Sequence, residues 1–389
     1  VGEATRTTRI GVGLGTAPDA VEATAQAAGE ARAALGGEPV DLAFCFLSAG
    51  YAEQAAEAAA AVRAGLEPRH LLGCVADGVV AGEVEVQDGR AAAVWAASLP
   101  GASIAPFHAR AIRTPEGVGV AGFPDLDGPD LVVCLVDPYT FPAGGFLARL
   151  NEEHPNLPLV GGLAGASGPG TQALLVDGDA HEGGAVGAVV SGVPVATVVS
   201  QGCAPVGREA VITQAEGNVV YELAGQPALE WVKSQLGSLP PREQLLAVQG
   251  LLAGIVIDEN KADYGRGDYL MRGLLAADED EGSIALGEQV RVGQTVRLHV
   301  RDAASADDDL REALDLAVRG SRPAGALLFT CNGRGTHMFA EPDHDARAVT
   351  AALGGPALAG FFCGGEIGPV GGRAFLHGFT ATLAVFLER

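Results

Sequence analysis

The sequence predicts an α/β (α+β) protein of mixed β-sheets with helices packed on their outer faces. It is built from repeated strand-helix-strand-strand units and divided into two domains. Three observations carry this. The chain has 389 residues, more than one ordinary core accommodates. Its apolar fraction of 48% excludes disorder. One pattern recurs three times: an apolar strand, a helix, and about thirty residues on a strand ending Leu-x-Gly. The first strands are Leu42–Ser48, Leu131–Asp137 and Ala326–Asn332, aligned at Leu42, Leu131 and Ala326. The glycine strands are Leu71-Leu72-Gly73, Leu159-Val160-Gly161 and Leu358-Ala359-Gly360. A unit with its helix on one side needs a second layer on the other face of its sheet.

Taken in order, a strand at Arg6–Val12 leads through Gly11-Val12-Gly13-Leu14-Gly15 to a helix from Pro18 to Leu35. The glycine spacing is GxGxG, not the GxGxxG of dinucleotide loops, so a nucleotide site is not expected there. Strand Leu42–Leu47, an alanine-rich helix Ala52–Leu66, strand His70–Cys74 and strands near 82–86 and 91–99 follow. The second copy supplies Leu131–Val136, a helix at 145–153, Leu159-Val160, and strands at 173–176 and 185–190. Thr197–Thr213 reads as strand broken at Gly202–Pro205, and the domain boundary is placed there, giving domains 1–203 and 204–389. Helices at 227–236 and 241–252 open with proline. Strands are expected at 254–257, 269–276, 283–290 and 295–301. Ser305 is the expected cap of the helix that runs to about Gly320. The last copy closes with a helix at 343–353, strand Ala357–Phe362 and an alternating strand Phe379–Phe386.

Composition removes several classes of function. A formal net charge of −23 with no Lys/Arg cluster disfavours nucleic acid and anionic lipid as partners. No apolar run approaches the ~20 residues of a membrane span. The six cysteines are scattered without CxxC or zinc spacing, which predicts a reducing, cytoplasmic compartment and no metal or other cofactor. Aromatics are 5% of the chain and 56 residues are glycine, so packing must rely on small side chains and close backbone approach.

The candidate chemistry lies in two glycine-rich turns that end apolar strands. The first is Cys331-Asn332-Gly333-Arg334-Gly335 and the second is Cys363-Gly364-Gly365-Glu366. Such turns aim backbone N–H groups and a charged side chain at a ligand. Arg334 and Glu366 offer opposite charges to a zwitterion, or Glu366 pairs with Arg334 or Arg373. Cys331 or Cys363 would need His337 or His377 as base to act as a nucleophile, and neither has a known nucleophile signature around it. His377 also suits a half-buried structural imidazole. His337, His344, Asp343 and Asp345 lack the i,i+4 spacing of a helical metal site, and the acidic run 278–281 lacks an EF-hand pattern.

These residues carry a family likeness. The 331–335 turn, Gly360–Pro369 and His377-Gly378-Phe379-Thr380-Ala381 resemble the C-terminal part of FIST-domain proteins. So do Asn218–Glu230, Tyr269–Arg272 and Val300-Arg301-Asp302-Ala303. The first half, with Gly73-Cys74 and Gly161-Gly162-Leu163-Ala164, is similar to the FIST N-terminal domain; Val75-Ala76-Asp77 stand where Ser or Thr is expected. The family name stands for F-box and intracellular signal transduction. The resemblance implies a stand-alone bacterial sensory protein that binds a small polar ligand, an amino acid or related metabolite, and passes the signal to a protein partner. It implies binding rather than catalysis. The ligand-binding set expected from the sequence is Cys331, Asn332, Gly333, Arg334, Gly335, Cys363, Gly364, Gly365, Glu366 and His377. The alternatives are a cysteine-dependent enzyme using Cys331 or Cys363, and a protein-interaction scaffold.

Overall fold

The structure, a computed structural model, describes residues 7–115, 117–165, 168, 172–265 and 267–388. Arg6, where the first strand was expected to begin, lies outside them. The residues group into two compact units. The first holds the chain up to Val199, Leu310–Leu376 and the stretch from Thr380 onward; the second holds Ser200–Asp309 and His377–Phe379.

Three copies of one unit make up the first. Copy 1 is β1 (Arg9–Gly15), α1 (Ala20–Leu35), β2 (Leu42–Ser48), α2 (Ala55–Leu66), β3 (His70–Ala76), the hairpin β4 (Val79–Ala81) and β5 (Val84–Val86), and β6 (Ala92–Ser98). Copy 2 is β7 (Ser103–Thr114), β8 (Gly117–Ala121), β9 (Leu131–Val136), α3 (Ala143–Glu153), β10 (Leu159–Leu163), the hairpin β11 (Leu174–Val176) and β12 (Asp179–His181), and β13 (Ala185–Ser191). Copy 3 starts at β14 (Val195–Gln201), and the second unit follows along the chain as β15 (Cys203–Glu216), β16 (Val219–Leu223), β17 (Gln226–Pro227), α4 (Ala228–Ser238), α5 (Pro241–Gln249), β18 (Leu251–Val256), β19 (Tyr269–Asp278), β20 (Ser283–Leu286) and β21 (Thr295–Arg301). Copy 3 resumes with α6 (Ala303–Val318), β22 (Pro323–Cys331), α7 (His344–Leu353), β23 (Leu358–Cys363), the hairpin β24 (Glu366–Val370) and β25 (Arg373–His377), and β26 (Thr380–Leu387).

Each copy founds its own sheet, and each lends its hairpin to another. The orders are β1-β6-β2-β3-β11-β12, β25-β24-β10-β9-β13-β7-β8 and β14-β26-β22-β23-β4-β5. Copy 1 therefore extends the sheet of copy 3, copy 3 that of copy 2, and copy 2 that of copy 1. In every copy the two central strands are parallel and the rest of the founding set antiparallel. The glycine of each Leu-x-Gly end lies opposite a strand carbonyl: a Cβ on Gly73, Gly161 or Gly360 would sit 2.0, 1.8 or 1.8 Å from the oxygen of Cys45, Cys134 or Leu328. That register corrects the sequence alignment of the repeat. Leu328, not Phe329, is the counterpart of Cys45 and Cys134, so the third copy had slipped by one residue. A one-residue slip turns every side chain to the other face. In the true register Ser48, Asp137 and Cys331 are equivalent strand ends.

The inner faces of the three sheets share one core, in which Phe46 of β2 meets Phe361 of β23 with ring centroids 5.3 Å apart and Trp95 of β6 meets Phe386 of β26 at 5.1 Å. Helices cover the outer faces: α1 and α2 in copy 1, α3 in copy 2, α6 and α7 in copy 3. The GxGxG stretch has a packing role. Cβ atoms on Gly11, Gly13 and Gly15 would lie 2.1, 2.1 and 1.9 Å from the carbonyl oxygens of Ala31, Ala27 and Ala23, so their absence lets α1 lie with its backbone against β1. Asp19 caps α1 by accepting from Glu22 N at 3.1 Å, and Gly36 ends it in the left-handed conformation.

In the second unit β15-β21-β18-β19-β20-β16 form an antiparallel sheet that closes through a further β15–β16 pairing. Trp231 and Val232 of α4 pack into its core. Two sequence expectations change here. Leu251 and Leu252 belong to β18, not to the preceding helix, which ends at Gln249. Asp302, not Ser305, caps α6: its Oδ2 accepts from Ser305 N at 3.3 Å and Ser305 Oγ at 2.7 Å.

Candidate functional site

The two glycine turns end the paired strands β22 and β23. Cys331 lies opposite Cys363 in the register, and Asn332 N donates to the Cys363 carbonyl at 2.9 Å. The first turn closes as Arg334 N donates to the Cys331 carbonyl at 2.9 Å. Gly335 takes φ 53°, and a Cβ there would meet Gln87 Oε1 at 2.4 Å. Gln87 explains that requirement, since its Oε1 accepts from Thr336 N at 2.7 Å and Thr336 Oγ1 at 2.9 Å. The second turn docks on copy 2, with Gly364 N donating to Leu163 O at 3.2 Å and Leu163 N to Gly365 O at 2.8 Å.

The charged side chains of these turns are buried. Arg334 is fully enclosed and makes a bidentate pair with Asp345 of α7, Nε to Oδ2 at 2.7 Å and Nη2 to Oδ1 at 2.8 Å. Thr330 Oγ1 donates to the same Oδ2 at 2.9 Å, and the ring of Phe339 lies 5.3 Å from the guanidinium carbon. Burial works against the charge on both partners, but their mutual attraction outweighs it: Asp345 is held well below the usual carboxylate range and Arg334 is raised. Glu366 is also fully enclosed. Its Oε2 accepts from Thr380 N at 3.1 Å and Thr380 Oγ1 at 2.8 Å, so neither Arg334 nor Arg373 is its hydrogen-bond partner. Burial pushes its carboxyl up to about 8 against the pull of Thr380, a hydrogen bond with Cys331 and the Arg334 charge. Burial also pushes the Cys363 thiol well up, with the Glu366 charge adding to it. Arg334 Nη1 and Glu366 Oε1 have no hydrogen-bond partner among the described residues.

Above this layer lies an open cleft of about 510 Å³. Copy 1 supplies Ala49 and Gly50 after β2, Asp77 and Gly78 after β3, and Gln87–Arg90 after the hairpin; copy 3 supplies Asn332, His337 and Phe362. Asn332 Nδ2 donates to Asp77 Oδ2 at 2.6 Å, whereas its buried Oδ1 has no partner among the described residues. Arg90 is exposed at one wall, with Nη1 donating to Pro18 O at 2.7 Å. The hairpin that forms this wall is tied to copy 3: Glu85 N donates to Asp343 Oδ1 at 2.8 Å and Ala346 N to Glu85 Oε1 at 2.9 Å. Burial, with Asp345 close by, pushes the Glu85 carboxyl up to about 7.

Of the ten residues singled out from the sequence, Asn332 lines the cleft. The structure brings Cys331, Gly333, Arg334 and Gly335 together with Cys363, Gly364, Gly365 and Glu366 beneath and beside it. His377 ends β25, is buried, and groups with the second unit. Sequence reading missed Asp77, Gln87, Asp88 and Arg90 as lining residues. Asp77 follows β3, and Gln87, Asp88 and Arg90 arrive through the exchanged hairpin, which no local motif announces.

Comparison with known proteins places the chain. Residues 41–226 match the FIST N domain and residues 228–369 the FIST C domain. The chain belongs to the FIST family. FIST domains are associated with signal transduction. The chain is also similar to the uncharacterized protein Rv0628c of Mycobacterium tuberculosis, 46% identical over 98% of this chain and 100% of that protein. The uncharacterized protein Mb0898c of Mycobacterium bovis is 44% identical over 98% of this chain and 99% of its own length. No helix of the described residues is long and apolar enough to cross a membrane.

Proposed function

We propose that this FIST protein is a cytoplasmic sensor whose cleft between the copy 1 loops and the Asn332 turn binds a small zwitterion, an amino acid or close relative. The observation that carries the reading is the set of charges lining about 510 Å³ of open space: Arg90, Asp77 and Asp88, together with Asn332. A cavity of this size with a few convergent polar groups suits a small metabolite. Arg90 would take the ligand carboxylate and Asp77 and Asp88 its ammonium group. Arg334 and Glu366 act on the ligand from below, by fixing the turn that carries Asn332. The cleft joins copy 1 to the turn that leads into α7, so a bound ligand is positioned to bias how that hairpin and helix meet, and a signalling partner would read the change.

The test is a thermal-shift screen against amino acids, confirmed by calorimetry. Replacing a charged hydrogen-bond partner costs about 1.5–3 kcal/mol, so Arg90→Gln is expected to weaken binding of any hit roughly tenfold or more. A hit bound equally well by Arg90→Gln and Asn332→Ala would move the site elsewhere. The cysteine-enzyme reading has less support, because burial keeps the Cys363 thiol protonated.

A further inference from the structure

The corresponding loops of copy 2 enclose a different pocket, of about 310 Å³. Thr140 follows β9 as Ala49 and Gly50 follow β2, and Glu182–Gly184 lead into β13 as Gln87–Arg90 lead into β6. Where copy 3 closes the first cleft, this one is walled by β7, with His108, Arg110 and Ala111. His108 and His181 stack face to face, ring centroids 3.8 Å apart at 28°. One nitrogen of His108 is committed, its Nε2 lying 2.8 Å from Gly183 O. The acid nearest in sequence to Thr140 is spent: buried Asp137 accepts from Tyr139 N at 3.0 Å and Thr140 Oγ1 at 2.5 Å. Two imidazoles and a guanidinium thus gather at one pocket whose lining carries a single carboxylate, Glu182. In a chain of net charge −23 that concentration of basic groups is unexpected.

We propose that this pocket is a second binding site, specific for a small phosphate-bearing anion held by His108, His181 and Arg110. Three basic groups from two adjacent elements supply charge-assisted hydrogen bonds to several oxygens on one centre. The groups that face His181 are His108 and Arg110 on β7, Asp179 on its own strand and Glu182 beside it. Burial, then His108, lowers the His181 imidazole, with Arg110 adding to this and Asp179 opposing it. An anion in the pocket reverses the repulsion, so binding takes up protons and strengthens as pH falls through the histidine range. The proposal stands apart from the zwitterion cleft and fails or holds without it.

The probe is inorganic phosphate, titrated into the full chain at constant ionic strength while histidine ring protons are followed by NMR. His108→Asn and His181→Asn assign the two resonances. The expected result is saturable movement of those two signals, a rise in the apparent pKa of His181, and affinity roughly tenfold lower in Arg110→Gln, in line with one charged hydrogen bond. Glycerol 3-phosphate in a second titration separates the sources: tighter binding than phosphate points to a phosphorylated metabolite, equal binding to free phosphate. Arg110 is exposed, so its variant is expected to fold even where a histidine variant does not. No saturable shift of any histidine, or an unchanged response in Arg110→Gln, overturns the proposal.

Discussion

The turn at Asn332–Gly335 and the cleft above it are both rich in charge, yet burial gives them opposite uses. Arg334 is fully enclosed and answered by both oxygens of Asp345, whereas Arg90 stands exposed with one backbone contact. A guanidinium that already holds a bidentate carboxylate has little left for a ligand carboxylate. An exposed one at the lining of an open cavity, with a single backbone bond, can still take one. The comparison assigns stability to the lower layer and recognition to the upper, and it can be broken at either.

The largest effect is expected from Arg334→Ala. It leaves the buried Asp345 with Thr330 and His344 but without the guanidinium that answers its charge, which costs about 3–5 kcal/mol. Urea unfolding reads this directly, and a loss below about 1 kcal/mol would show that the pair contributes little to stability. Next comes Glu366→Gln. In the native protein this carboxyl titrates near 8 against an ordinary 4.5. Between those values the unfolded state has lost the proton that the folded state keeps, so stability falls as pH rises and levels off above about 8. At about 1.4 kcal/mol per unit, the fall is on the order of a few kcal/mol. The glutamine variant is expected to lose that slope, as read by urea midpoints across pH. An identical slope in both proteins would place the titration on another group, with Glu85 the first to examine. Third is thiol reactivity. Cys363 is expected to resist iodoacetamide at neutral pH until the protein unfolds, and rapid labelling in the native state would revive the nucleophile reading. The smallest stability effect belongs to Arg90→Gln, within about 0.5 kcal/mol, although its effect on binding is the greatest of the cleft variants.

Much of the architecture was legible in the sequence because the repeat is written in backbone requirements. A parallel strand pair that brings a carbonyl within 2.0 Å of a would-be Cβ demands glycine, and Gly73, Gly161 and Gly360 mark all three pairs. The first turn was legible for the same reason, since Gly335 makes room for Gln87. Sequence reading placed Arg334 and Glu366 correctly at one locus and did not foresee their burial, because Asp345 and Thr380 lie eleven and fourteen residues away with nothing in the local pattern to couple them. The strand β7–β8 pair also escaped notice: Pro106 and the basic residues of 108–113 interrupt the alternation that marks a strand. The exchange of hairpins, which delivers Asp88 and Arg90 to the cleft, is a tertiary fact without a sequence signature.

The central claim is that the cleft, not the buried turn, recognises the ligand. The most direct measurement is the amino-acid thermal-shift screen run in parallel on the native protein and Arg90→Gln. A ligand at about a hundred times its dissociation constant adds roughly 2.7 kcal/mol to the native state. The account predicts a clear upward shift for the native protein and little or none for Arg90→Gln, with both unfolding at the same temperature when no ligand is added. A hit that stabilises the two proteins equally, or no hit in a cooperatively folded native protein, would contradict it.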